Sequence, residues 1–153
     1  MRFAFLLLAA LAAPPAAPAP PHYASLRSDK VYLREGPTYQ HRVLFIYKRR
    51  DYPVEVLAAY ESWRRVRDAD GTVGWVSQTM VSDARTVLVT GKDKASLRAS
   101  PSAAAPPVAQ AEPGVVGKLK ACKPQFCKIT AGGVTGWIDK SRIWGVDAGE
   151  IID

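Results

Sequence analysis

From residue 31 onward the chain alternates short β-prone runs with turn signals, and one such alternation organises the rest. In residues 63–81, W-R-R-V-R-D-A-D-G-T-V-G-W-V-S-Q-T-M-V, the apolar Val66 and Val76 stand among polar positions, and Asp70-Gly71 divides the two runs. Asp-Gly between β-prone runs is a strong hairpin signal, because both residues tolerate positive φ. The pattern predicts antiparallel strands over residues 62–68 and 73–77, then a short turn carrying Met80 and Val81.

The pattern returns in residues 126–146, F-C-K-I-T-A-G-G-V-T-G-W-I-D-K-S-R-I-W-G-V. Gly74-Trp75-Val76 matches Gly136-Trp137-Ile138, and Gly132-Gly133 takes the place of Asp70-Gly71. Upstream, Leu33-Arg34 followed by Pro37 is echoed by Leu97-Arg98 followed by Pro101. Matching positions lie 64 residues apart at the front of the unit and 62 at its back. An internal duplication of this kind decides the domain organisation before any other feature does.

The order x-Leu-Arg-x-x-Pro, apolar strand, Trp/Phe-x-x-Val/Ile, turn, Gly-Trp-Val/Ile resembles the bacterial SH3-like (SH3b) domain, and it occurs twice. The run G-W-V-S-Q-T-M-V is also similar to the last strand and 3₁₀ turn of eukaryotic SH3 domains. The second unit, with its Cys pair and Trp144-Gly145-Val146, resembles a secreted subgroup of SH3b proteins. The resemblance implies an all-β chain of two tandem SH3-like small β-barrels, at residues 22–83 and 84–146, with a tail over 147–153. Units this small bury little surface and are marginal alone, so the two barrels are expected to pack on one another.

Other runs fill in the scheme. Leu33 is expected to be the first core residue of unit one, and residues 35–40 to form a loop. Residues 43–47, V-L-F-I-Y, read as a buried or half-buried strand, and residues 53–58 as a half-exposed one. Residues 48–51, K-R-R-D, read as a solvated turn, with anion contact as the other reading. Residues 85–89 open unit two. Residues 99–114 hold four prolines and almost no large apolar side chain, a composition expected to stay mobile. Whether the acidic-apolar tail docks as an extra strand is open on sequence alone.

Composition then narrows the setting. Arg2, ten apolar residues from Ala4 to Ala13, and Ala/Pro up to Pro21 describe a secretory signal peptide over residues 1–20. Ten apolar residues are too few to span a bilayer, which takes about twenty. The expected location is therefore periplasmic or secreted, with no transmembrane segment. The formal charge of +7 favours anionic partners. The basic residues are scattered, however, so a solvated surface explains them equally, and an exported chain leaves no role for nucleic acid.

Cys122 and Cys127 are the only cysteines, an even count in an exported chain, and they end two predicted strands across a short turn. A structural disulfide is the reading. Zinc would need two further ligands, and His22 and His41 lie in the other unit. No nucleophile motif or phosphate loop is present, and the 14 acidic residues are dispersed, with Asp68 and Asp70 placed at an exposed turn. No enzymatic activity, cofactor or metal is expected.

The aromatic residues remain. Resemblance to eukaryotic SH3 domains implies that Trp63, Trp75 and Met80 line a ligand groove, with Tyr39 completing it and Val66 and Val76 in the core. Trp63 and Val66 differ by three along a strand and so face opposite sides. The other reading of Trp75, and of Trp137, is a cap over the barrel core. Phe126, Trp137 and Ile143 stand in the corresponding places of unit two, which is expected to serve mainly as a packing partner. On this reading Trp63 can be truncated with little loss of stability. The expected partner is a cell-wall or other envelope component, peptidoglycan first. The alternative is an adaptor for an envelope protein such as a wall amidase.

Overall fold

The computed structural model describes residues 19–153. Residues 1–18 of the expected leader lie outside these. The described chain is built of fourteen strands and two 3₁₀ turns in two antiparallel sheets. Among the described residues no helix is long and apolar enough to cross a membrane.

The first sheet holds β1 (His22–Leu26), β2 (Val31–Arg34), β3 (Val43–Tyr47), β4 (Pro53–Tyr60), β5 (Trp63–Arg67), β6 (Val73–Ser77) and β7 (Val81–Ser82), in the order β3-β2-β6-β5-β4-β1-β7. The second holds β8 (Thr86–Val89), β9 (Ala95–Arg98), β10 (Pro107–Ala111), β11 (Val116–Cys122), β12 (Phe126–Ala131), β13 (Val134–Asp139) and β14 (Ile143–Trp144). Its order, β10-β9-β13-β12-β11-β8-β14, repeats that of the first sheet strand for strand. These are two tandem SH3-like β domains.

Each sheet curls around its own core. Leu26, Val31, Leu33, Val54, Val66 and Val76 are buried in the first, and Val87, Val89, Leu97, Ile129 and Ile138 in the second. The core of unit one thus begins before Leu33, at Ala24 and Leu26 of β1. The repeated Gly-Trp has a steric cause. A Cβ on Gly74 would meet Leu33 Cγ at 2.7 Å, and one on Gly136 would meet Leu97 Cβ at 2.8 Å. Only glycine lets β2 or β9 cross so close to the neighbouring strand.

The two hairpins close differently. Gly132 and Gly133 both have positive φ and join β12 to β13 directly, with Ala131 paired to Val134. In the corresponding turn of unit one Gly71 alone has positive φ, and the turn is a five-residue loop in which the Gly71 amide donates to Asp68 O. Asp68 itself is buried, not exposed at the turn as its neighbours in sequence suggest. Its Oδ1 accepts from the amides of Asp70 and Thr72, and its Oδ2 from the Tyr47 hydroxyl. A buried carboxylate needs such partners to stay in place.

Two further expectations are corrected, and the question of the tail is decided. Strand β3 lies at the sheet edge, and Leu44 and Phe45 are 42% and 51% exposed. The Pro/Ala stretch is not structureless. It forms turns with a buried Ala105 and then β10, bonded to β9, because backbone pairing orders a segment even where its side chains bury little. The tail does dock, through one antiparallel bridge between Ile152 and Cys122 and an ion pair between Glu150 and Arg85 at 2.7 Å.

The sheets touch, as marginal units of this size require. Tyr23 of β1 meets Trp144 of β14 edge-on, ring centroids 5.3 Å apart, and the Arg85 guanidinium stacks 5.5 Å from the Tyr23 ring. The Thr86 hydroxyl donates to Asp51 O at 2.6 Å, and Arg49 donates to Gly114 O.

Candidate functional site

Strand β2 alternates, with Val31 and Leu33 turned into the core and Tyr32 and Arg34 turned out. The outward pair forms one wall of a groove of about 230 Å³. The loop after β2 brings Tyr39 over it, β5 supplies Trp63, and the 3₁₀ turn Gln78–Met80 supplies Thr79 and Met80. Lys30 and Ser77 complete the lining.

Tyr39 and Trp63 meet edge-on with ring centroids 4.9 Å apart, a favoured geometry for aromatic pairs. Their exposures differ greatly: Tyr39 is 68% exposed and Trp63 only 6%. Trp63 is thus the floor of the groove and Tyr39 its rim. Arg34 fixes the rim. Its Nη1 donates to Tyr39 O at 3.1 Å and to His41 O at 3.0 Å, and its guanidinium lies 5.4 Å from the Tyr39 ring and 5.8 Å from the Tyr32 ring. Lys30 Nζ sits 5.3 Å over Tyr32. Among the described residues neither Lys30 nor Arg34 forms a salt bridge, and no acidic side chain lines the groove.

Of the four residues singled out from the sequence, Tyr39, Trp63 and Met80 converge in this groove. Trp75 does not line it. It is half-buried on β6, in register between Arg34 of β2 and Arg65 of β5. Sequence reasoning missed Tyr32, Lys30 and Arg34. The period-two alternation of Val31-Tyr32-Leu33-Arg34 was the available signal, since it turns Tyr32 and Arg34 away from the core.

The second unit carries a cleft in the same place, about 180 Å³, with a different lining. Ser96 stands for Tyr32, Ala103 for Tyr39, Phe126 for Trp63 and Asp139 for Ser77, while Lys94 and Arg98 keep the places of Lys30 and Arg34. Arg142, not Ile143, takes the place of Met80, as the last residue of the matching 3₁₀ turn Lys140–Arg142. Ile143 is one residue further on and packs into the core. Arg142 is tied down by Thr90 O, Asp93 O and the Asp93 carboxylate. The aromatic rim is gone from this copy.

The cysteines are bonded to each other, as Cys122–Cys127 across the β11–β12 turn, and both are buried. Among the described residues no group of three or more His, Cys, Asp or Glu side chains is placed to hold a metal ion.

Comparison with known proteins matches these observations to a family twice over. The family described as "Bacterial SH3 domain" matches residues 27–83 and again residues 91–145. No curated protein matches the chain. Two solved structures from Trichomonas vaginalis, those of NlpC1 and NlpC2, align with it at 16% identity and a TM-score of 0.38. The NlpC1 alignment covers 92% of this chain and 51% of that one, and the NlpC2 alignment 82% and 48%. The chain therefore spans about half the length of the solved structures it matches.

Proposed function

Because the chain belongs to the bacterial SH3 domain family in both of its halves, we propose that it is a non-catalytic binding module acting outside the cytoplasm. Its first unit grips a cell-envelope component, peptidoglycan stem peptide foremost, in the groove between Tyr39 and Trp63. The observation that carries this reading is the groove's lining. Tyr32, Tyr39, Trp63 and Met80 offer apolar and aromatic surface, and Lys30 and Arg34 stand beside it with no carboxylate among the described residues paired to them. A ligand pairing an aliphatic stem with a carboxylate satisfies both halves of that surface. The pre-fixed Tyr39 rim lowers the ordering cost of binding. Export is the expected setting for the Cys122–Cys127 bond, since disulfides persist in oxidising compartments.

Cosedimentation with purified peptidoglycan tests the reading, with titration of soluble wall fragments to measure affinity. Wild-type protein is expected in the pellet, and Tyr39→Ala in the supernatant with an unchanged melting temperature. Wild-type protein remaining in the supernatant overturns peptidoglycan as the ligand, and Tyr39→Ala binding as wild type overturns the groove.

A further inference from the structure

Sheets manage their edges, because an uncovered strand offers a row of free amides and carbonyls to any extended chain. The two sheets here have four edge strands. Strands β7 and β14 have two residues each, too short to template a partner. Strand β10 begins at Pro107, directly after Pro106, so the strand and the residue before it open on two positions without an N–H, and it carries polar Gln110. A bulge between Pro107 and Ala109 also disturbs its register. That edge is blunted in the usual ways.

Strand β3 occupies the same position in the first sheet, 64 residues earlier, and nearly all of those devices are missing. Its sequence V-L-F-I-Y has no proline, no charge and no polar amide; only the bulge at Leu44 is kept. Among the described residues its backbone pairs with β2 alone. Leu44 and Phe45 are exposed, and a groove of about 340 Å³ runs beside the strand, lined by Phe45, Tyr47, Tyr52 and Asp70 among others. Phe45, Tyr47 and Tyr52 form a continuous aromatic row, with ring centroids 4.9 and 5.7 Å apart.

We propose that the outer edge of β3 is a docking strand for an extended apolar segment of a partner protein that carries acidic residues at its ends. Main-chain bonds to the edge hold such a segment, and the aromatic groove takes its alternate side chains. Charge selects the occupant. Arg42 precedes the strand, its Nε 3.8 Å from Glu35 Oε2 in an exposed pair, and Lys48 and Arg49 follow it, Arg49 also donating to Gly114 O. A second copy of β3 laid antiparallel sets Arg42 against Lys48 at both ends, and one laid parallel sets like residues side by side. Either arrangement is repulsive, whereas acidic ends are attracted at both. The surface lies apart from the Tyr39–Trp63 groove, so its fate is independent of that reading.

The test is a backbone-amide titration of the protein with a synthetic peptide, acetylated Asp-Val-Thr-Val-Thr-Val-Asp, against the same peptide with lysine ends. The expected result is shifts confined to β3, β2 and the groove beside them, with the lysine peptide roughly tenfold weaker. The double variant V43P/I46Q, which installs the edge residues of β10, is expected to abolish these shifts, while Y39A leaves them intact. Should V43P/I46Q lower the melting temperature, F45K at the half-exposed Phe45 serves in its place. Shifts at Tyr39 and Met80 instead, no shifts, or equal affinity for the two peptides overturn the proposal. A dimer in sedimentation velocity that V43P/I46Q dissociates also overturns it, because the occupant is then a second copy.

Discussion

The hydroxyl of Tyr47 donates to Oδ2 of Asp68 at 2.8 Å, joining the end of edge strand β3 to the loop that closes the β5–β6 hairpin. Both residues are buried. Burial, then the bond to Asp68 and its charge, push the Tyr47 hydroxyl well above the ordinary tyrosine range, so it stays a donor at all working pH values. Three donors on one buried carboxylate make Asp68 the tie-point of that end of the barrel.

Tyr47→Phe is therefore expected to destabilise unit one by about 1–3 kcal/mol, because it leaves a buried carboxylate oxygen unpaired. Asp68→Ala is expected to cost more, as it frees the Tyr47 hydroxyl and two amides together. Urea unfolding followed by tryptophan fluorescence checks both. Equal stability of Tyr47→Phe and wild type sinks the assignment.

Trp63 and Tyr39 are expected to part company on truncation. Trp63, 6% exposed, is packed as well as placed in the groove, so the expectation of a harmless Trp63→Ala is revised. That variant is expected to lose about 3 kcal/mol of stability along with binding. Tyr39→Ala, at 68% exposure, is expected to lose binding by about 1–3 kcal/mol with its melting temperature kept. Calorimetry of both variants against wall fragments separates the two effects.

The tail gives a pH dependence. The Arg85 guanidinium bonds both oxygens of Glu150, at 2.7 and 3.0 Å, and holds its carboxyl below the usual carboxylate range, against a smaller opposing effect of burial. A carboxylate with a lowered folded pKa contributes stability that is present above its unfolded pKa, about 4.3, and lost as pH falls through the folded value. Acid is thus expected to loosen residues 147–153 before the sheets unfold. Amide exchange at Ile152 between pH 7 and pH 3 checks this, and Glu150→Gln is expected to remove most of the dependence.

Cys122→Ser is expected to lower the stability of unit two by roughly 2 kcal/mol, the entropic value for so short a closed loop. Unit one has its own core and is expected to unfold unchanged. Two free thiols in native protein, or loss of the first sheet on reduction, contradict the expectation.

Much of this architecture could be read without coordinates. The inward Val66 and Val76 follow from the resemblance to SH3 domains, and the duplication and the Gly-Trp hairpins follow from β-prone runs and turn chemistry, which are local properties of the chain. So does the pairing of Cys122 with Cys127, five residues apart across one turn. What local pattern cannot carry is which strand ends up with an open side, and what covers a given side chain. V-L-F-I-Y reads as a buried or half-buried strand but lies at an edge; its partner on one side is β2, and nothing in its own residues reports the open side on the other. Asp68 reads as a solvated turn residue and is buried, because Tyr47 arrives from 21 positions away. Tyr32, Tyr39, Trp63 and Met80 become one groove only when two separate strands, a loop and a 3₁₀ turn close over them. Burial and convergence are sums over distant neighbours, and those are decided by the folded chain alone.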